Sequence, residues 1–271
     1  MFIIRKRYDA KEYNSNLTES SDNKLMNGWN SVVELNMNTN DEMEMIKRMK
    51  KNILIICFLL LAYSMVKAQG SVYFRANAYK EQLDYYYSLD EKSFPKSGSI
   101  LFIGSSSLGM WENINDYFPN HRVLNRAYGG SWISDYLYHY QRLVVAYKPA
   151  QIVLLCGAND LYNGASIERV FEDIKCFCRL MDIHLPGVPI LLLSFHPSPS
   201  MPDWILKEKK VNELVLNFYK NSQQVTYVDI TSCLYDKNGK LPEKYYISDR
   251  LHPSKLAYER FAEVIEPYLI Q

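Results

Sequence analysis

Ser99-Ile100-Leu101-Phe102-Ile103-Gly104-Ser105-Ser106-Ser107 joins a short, wholly apolar run to a glycine and three serines. Such a run, bounded by turn formers, reads as a strand buried on both faces, and the glycine permits the tight turn by which a strand hands over to a helix. The pattern recurs downstream. Strands are expected over Ser99–Ile103, Val123–Asn125, Gln151–Cys156, Pro189–Leu193 and Val225–Asp229. Amphipathic stretches between them predict helices near Ser134–Tyr147, Ser166–His184 and Asp203–Asn221, with a last helix from Ser254 to about Leu269. This alternation predicts an α/β protein whose parallel sheet is covered on both faces. Ahead of it an extra helix is expected over Ala76–Leu89, and Pro95-Lys96-Ser97-Gly98 reads as a connector. No internal repeat or low-complexity linker divides residues 69–271, which read as one domain.

In such sheets ligands bind beyond the carboxyl ends of the strands. The first expected strand is followed by Gly104-Ser105-Ser106-Ser107 and the second by Arg126-Ala127-Tyr128-Gly129-Gly130-Ser131. Gly157-Ala158-Asn159-Asp160 follows the third, and Ser194-Phe195-His196-Pro197-Ser198-Pro199 the fourth. Near the end, Asp249-Arg250-Leu251-His252 precedes the last helix. Five polar or glycine-rich segments thus converge on one edge.

Each segment has a plain reading beside a chemical one. Three serines after a strand can simply cap a helix, or Ser106 can be a nucleophile at a helix entrance. Gly129-Gly130 can be an ordinary turn, or the Gly130 N–H can donate to an oxyanion. Asn159 can be turn chemistry, or a side-chain donor to the same oxyanion. A carboxylate three residues before an imidazole can reach Nδ1, fix the tautomer and leave Nε2 to take a proton, which assigns Asp249 and His252 as acid and base. Together these parts supply what acyl transfer needs. His196 lies at the same edge and reads either as a pocket residue or as a structural loop histidine. His121, His139 and His184 read as structural, and Tyr136, Tyr138 and Tyr140 as helix-sheet packing rather than sugar-stacking faces.

The ordered set Gly104-Ser105-Ser106-Ser107, Gly130, Gly157-Ala158-Asn159-Asp160 and Asp249-Arg250-Leu251-His252 resembles the four blocks of the SGNH (GDSL-type) hydrolases, across about residues 99–269. The chain departs from the family pattern at Ser105 and Ser107, where Asp and Leu are usual, and at Ala127, where Gly is frequent. None of these removes a catalytic atom, and a Gly-Ser-Ser-Ser block is similar to that of a subgroup of bacterial members. The resemblance implies a three-layer α/β/α sandwich with a flavodoxin-like five-stranded parallel sheet in the order 2-1-3-4-5. It also implies a triad of Ser106, His252 and Asp249, and an oxyanion hole of the Ser106 and Gly130 N–H groups with the Asn159 side chain. A carboxylic ester hydrolase of short acyl groups follows, acetyl on carbohydrate foremost, with lysophospholipid or thioester hydrolysis and acyl transfer as alternatives. No cofactor or metal is called for. The rival class, a non-catalytic phosphate- or nucleotide-binding flavodoxin-like module, lacks both the phosphate-loop lysine and the Gly-x-Gly-x-x-Gly fingerprint, and leaves Asp249 and His252 unused.

Lys and Arg total 31 against 30 Asp and Glu, so no strong field favours nucleic acid or an anionic membrane as partner. The partner expected is a small-molecule or carbohydrate ester; nothing sets an oligomeric state. Residues 49–68 have a basic start at Lys50-Lys51, an apolar run from Ile53 to Tyr63 and a small-residue site at Val66-Lys67-Ala68. That is the layout of a signal peptide cleaved after Ala68, and the run is short for a membrane-spanning anchor, which needs about 20 residues. The protein is therefore expected to be exported, periplasmic or extracellular, and residues 1–48 read as an over-extended start or a disordered leader. Cys156, Cys176, Cys178 and Cys233 remain after cleavage, without metal-ligand spacing, and read as unpaired.

Overall fold

The computed structural model describes residues 43–56 and 79–271. The first segment is helical and exposed throughout, and it belongs to a unit separate from the rest of the chain. The remaining part of the expected leader and of the signal peptide lies outside the described residues. No helix among the described residues is long and apolar enough to cross a membrane.

In the second unit the strands are β1 (Ile100–Gly104), β2 (Val123–Asn125), β3 (Gln151–Leu155), β4 (Ile190–Leu193) and β5 (Val225–Val228). All pair in parallel, in the order β2-β1-β3-β4-β5, with Ile100 opposite both Val123 and Gln151. Every residue of β1, β3 and β4 is buried, as strands covered on both faces must be, and this explains their unbroken apolar runs. Because the chain steps from β1 out to β2 and returns to β3 on the other side, the strand order reverses between β1 and β3. Their carboxyl ends therefore splay apart and leave a crevice.

The helices are α1 (Lys80–Lys92), α2 (Ser106–Gly109), α3 (Ile114–Tyr117), α4 (Ile133–Leu143), α5 (Ala158–Tyr162), α6 (Ile167–His184), α7 (Ile205–Tyr219) and α8 (Lys255–Ile265). In α6 the buried residues Val170, Ile174, Phe177, Cys178 and Met181 form a single stripe, and the helix packs between α4 and α7. On the opposite face α8 and the segment after α2 enclose Phe102 with Trp111, Phe118 and Phe261. The result is the expected α/β/α sandwich.

Several ends differ from the sequence expectation, each for a local reason. Helix α4 stops at Leu143 and a 3-10 turn covers Val145–Tyr147, because Lys148 takes a left-handed conformation ahead of Pro149. Pro202 opens a 3-10 turn, so α7 begins only at Ile205. Pro267 likewise ends α8 at Ile265, with a 3-10 turn over Glu266–Tyr268. Helix α1 runs to Lys92, three residues past Leu89, where the Ser93 N–H closes the last turn on the Leu89 carbonyl at 2.9 Å. The short turns α3 and α5 have no sequence signal longer than one helical turn. Among the described residues Cys156, Cys176, Cys178 and Cys233 are free thiols.

Candidate active site

The β1–β3 crevice is built by a very close approach. Gly104 has φ +146°, and a Cβ there would lie 2.0 Å from the Leu155 carbonyl oxygen, so only glycine lets β1 end against β3. The Tyr136 hydroxyl accepts from the Gly104 N–H at 2.9 Å, which occupies this buried tyrosine inside the fold. Ser105 then holds the N-cap position through its backbone, its carbonyl accepting from the Leu108 and Gly109 N–H groups, and Ser106 opens α2.

Ser106, His252 and Asp249 are brought into one chain of hydrogen bonds. Ser106 Oγ is 2.8 Å from His252 Nε2, and His252 Nδ1 is 2.6 Å from Asp249 Oδ2. Since a carboxylate only accepts, Nδ1 carries the proton and Nε2 is the acceptor for the serine hydroxyl. The other Asp249 oxygen accepts the N–H groups of Leu251 and His252, at 2.8 and 3.0 Å. Partial burial pushes the Asp249 carboxyl up, but the hydrogen bonds from the His252 ring and from these two N–H groups outweigh it and hold it down at about 2. The carboxylate is thus ionised at any working pH.

The loop carrying this pair is fixed at both ends. An antiparallel bridge joins Tyr246 to Pro253, and the Ile247 N–H donates to the His252 carbonyl at 3.0 Å. From the β4 side the Ser198 hydroxyl donates to the Arg250 carbonyl at 2.9 Å, and the Tyr246 hydroxyl to the Pro197 carbonyl at 2.7 Å. The segment after β4 therefore buttresses the acid-base loop, a role not legible in its composition.

Ser106, Gly130, Asn159, His196 and His252 all line one pocket of about 400 Å³. Gly130 has φ +71°, and a Cβ would fall 2.2 Å from the Tyr79 hydroxyl, so the ring of Tyr79 packs against the glycine. One Asn159 Nδ2 hydrogen is held by the Ser131 carbonyl at 3.1 Å, which orients the amide and leaves its second hydrogen for a ligand. His196 joins the site through a partner: its Nε2 is 2.8 Å from Ser107 Oγ. Burial first, opposed by a hydrogen bond to Pro197 and aided by the nearby His252, lowers His196 to about 4, so it stays neutral and accepts from Ser107. Elsewhere His121 bonds the Ile270 carbonyl and Glu266, and His184 meets the Tyr140 hydroxyl, both inter-element ties.

Leu155, Cys156, Phe195, Tyr162 and Glu208 complete the pocket wall. Glu208 is a residue the sequence reading passed over, because one acid on a charged helix looks solvated. Its signal was positional: it falls in one stripe with the buried Val211 and Val215. Burial pushes its carboxyl up to about 7 despite a hydrogen bond from the Tyr162 hydroxyl.

The sequence pattern of the GDSL-like Lipase/Acylhydrolase family matches residues 104–260, more than half of the chain. A comparison with curated proteins finds no match. Among solved structures, the chain is similar to a protein from Streptococcus pneumonia described as a platelet activating factor, at 22% identity and TM-score 0.61 over 80% of this chain and 99% of that one. It is similar to a GDSL-like lipase from Bacteroides thetaiotaomicron at 18% identity and TM-score 0.59, covering 68% and 95% of the two chains. A catalytic mutant of an acetylxylan esterase from Geobacillus stearothermophilus superposes with TM-score 0.54 at 14% identity, covering 64% and 94%. At these identities the likeness is one of fold.

Proposed function

The chain belongs to the GDSL-like lipase/acylhydrolase family and is a carboxylic ester hydrolase, and from that premise we propose a secreted serine esterase that removes short acyl groups, acetyl foremost, from carbohydrates. The observation that carries the reading is the unbroken path from Asp249 through His252 to Ser106. His252 Nε2 takes the Ser106 proton as Oγ attacks the ester carbonyl carbon. The N–H groups of Ser106 and Gly130 and the Asn159 amide receive the oxyanion. As the tetrahedral intermediate collapses, the carbon–oxygen bond to the alcohol breaks and His252 returns the proton to that oxygen. Water then repeats the sequence on the acyl-enzyme: His252 takes its proton, hydroxide oxygen bonds the acyl carbon, and the acid leaves as Ser106 regains its hydrogen. Asp249, ionised, stabilises the imidazolium formed in each half.

The same fold carries an acetylxylan esterase, which agrees with acetyl as the acyl group and a carbohydrate as the alcohol. Export rests on the signal-peptide layout of residues 49–68, and N-terminal sequencing of the secreted product should begin at Gln69. A fluorophosphonate probe tests the chemistry: mass spectrometry should find the adduct on Ser106, and a protein that remains unlabelled, or labelled elsewhere, refutes the mechanism.

A further inference from the structure

Ser106 and Ser107 are consecutive, and each hydroxyl meets a different histidine: Ser106 Oγ is 2.8 Å from His252 Nε2 and Ser107 Oγ is 2.8 Å from His196 Nε2. Both serines and both histidines line the same pocket, and Ser107 is partly exposed. The two pairs look alike and differ in chemistry. His252 Nδ1 faces the Asp249 carboxylate, which balances the charge of an imidazolium. His196 Nδ1 instead faces the Pro197 carbonyl at 3.4 Å, and the residue is only 7% exposed. No carboxylate among the described residues bonds the His196 ring, so an imidazolium there would be a buried charge without compensation. A carbonyl only accepts, so Nδ1 carries the proton of the neutral ring and Nε2 takes the hydrogen of the Ser107 hydroxyl.

Ser107 is therefore a poor nucleophile and a well-defined acceptor. A free hydroxyl rotates to donate or to accept as its surroundings ask, but the single hydrogen of Ser107 is committed to His196. No donor among the described residues reaches the Ser107 oxygen, so its lone pairs stay open in the pocket. The nucleophile thus has a fixed acceptor as its immediate neighbour. Consecutive Cα atoms are about 3.8 Å apart, so a group bonded to Ser107 while Ser106 attacks lies within a few bonds of the ester carbon. An acetyl group carries no donor, and the hydrogen must come from the alcohol. The first donor within that range is a hydroxyl on the carbon next to the one that bears the ester oxygen. A simple alkyl alcohol offers none, and a phosphate or carboxylate brings only acceptors, which these lone pairs repel.

We propose that Ser107, held by His196, is a specificity-determining residue that accepts a hydrogen bond from a free hydroxyl vicinal to the ester, so that the preferred substrate is a monoester of a vicinal diol, the arrangement a partly acetylated sugar ring presents. The assignment rests on the serine-esterase reading above. Its test compares kcat/KM on ethylene glycol monoacetate with kcat/KM on propyl acetate, the same chain with a methyl group in place of the hydroxyl. The full protein, Ser107→Ala and Ser107→Thr are measured, and dividing each variant's ratio by the parent's cancels the intrinsic reactivity of the two esters. Ser107→Ala should lower the ratio about 3- to 10-fold, as expected for one hydrogen bond between uncharged groups, whereas Ser107→Thr keeps the hydroxyl and should stay within about 2-fold of the parent. A parental ratio in folded Ser107→Ala, or an equal fall in Ser107→Thr, overturns the acceptor role and leaves the esterase standing. A fluorophosphonate adduct on Ser107 in the Ser106→Ala variant also overturns it, because Ser107 would then be a second nucleophile. A parent that cleaves neither acetate overturns the esterase mechanism, and the acceptor role with it.

Discussion

At the scale of single residues the site divides by what each atom must do. Ser106→Ala removes the oxygen proposed to attack and His252→Ala the proposed base, and each should lower kcat by about 10⁴-fold or more in an acetyl-ester assay. Near-wild-type turnover in either variant would refute the proposed roles. Asn159→Ala deletes one of the proposed oxyanion donors and should cost about 10²- to 10³-fold in kcat with little change in KM, because such a donor acts on charge that exists only in the transition state. Ser106, Gly130 and Asn159, each following a strand, and His252, just ahead of the last helix, were singled out by their order along the sequence, and the fold brings them to one pocket. Glu208 and Tyr162 were not, because their importance lies in which wall of the pocket α7 and α5 present.

At the scale of elements, two junctions hold the chemistry in place. Gly104 ends β1 where a methyl group would meet the Leu155 backbone oxygen at 2.0 Å, and backbone in a sheet centre cannot retreat. Gly104→Ala should therefore yield no cooperatively folded protein by circular dichroism, and a wild-type melting transition would contradict this account. The second junction is the segment after β4, which grips the acid-base loop through Ser198 and Tyr246. Tyr246→Phe cuts one of these ties 49 residues apart in sequence, leaving a buried carbonyl with one donor fewer. It should destabilise the protein by about 1 kcal/mol in denaturant titration and lower kcat more than it raises KM. The strands were readable because full burial on both faces demands unbroken apolar runs. The helix ends at Leu143, Ile205 and Ile265 were set by prolines and a left-handed lysine whose effect depends on the local turn adopted.

At the scale of the whole molecule, two buried acids make stability depend on pH. Burial pushes Asp160 from 3.8 up to about 7 and Glu208 from 4.5 up to about 7. In the fold each keeps a proton that the unfolded chain has already released across that window. Their contribution is full below the unfolded values and is lost as pH rises through 7. The urea midpoint should accordingly be lower at pH 8 than at pH 5, and Glu208→Gln should flatten the difference; a midpoint that rises with pH and is unaffected by that change would refute it. The sequence by itself determined the alternating layers, because hydrophobic period is a local property, while the family resemblance implied the strand order and named the candidate residues at the carboxyl edge of the sheet. Only the tertiary structure decided that Ser198 and Tyr246 brace the acid-base loop, that Glu208 is buried, and that Ser107 meets His196 in the pocket. Those are relations between elements distant in the chain, set by how the helices close over the sheet, and no local pattern encodes them.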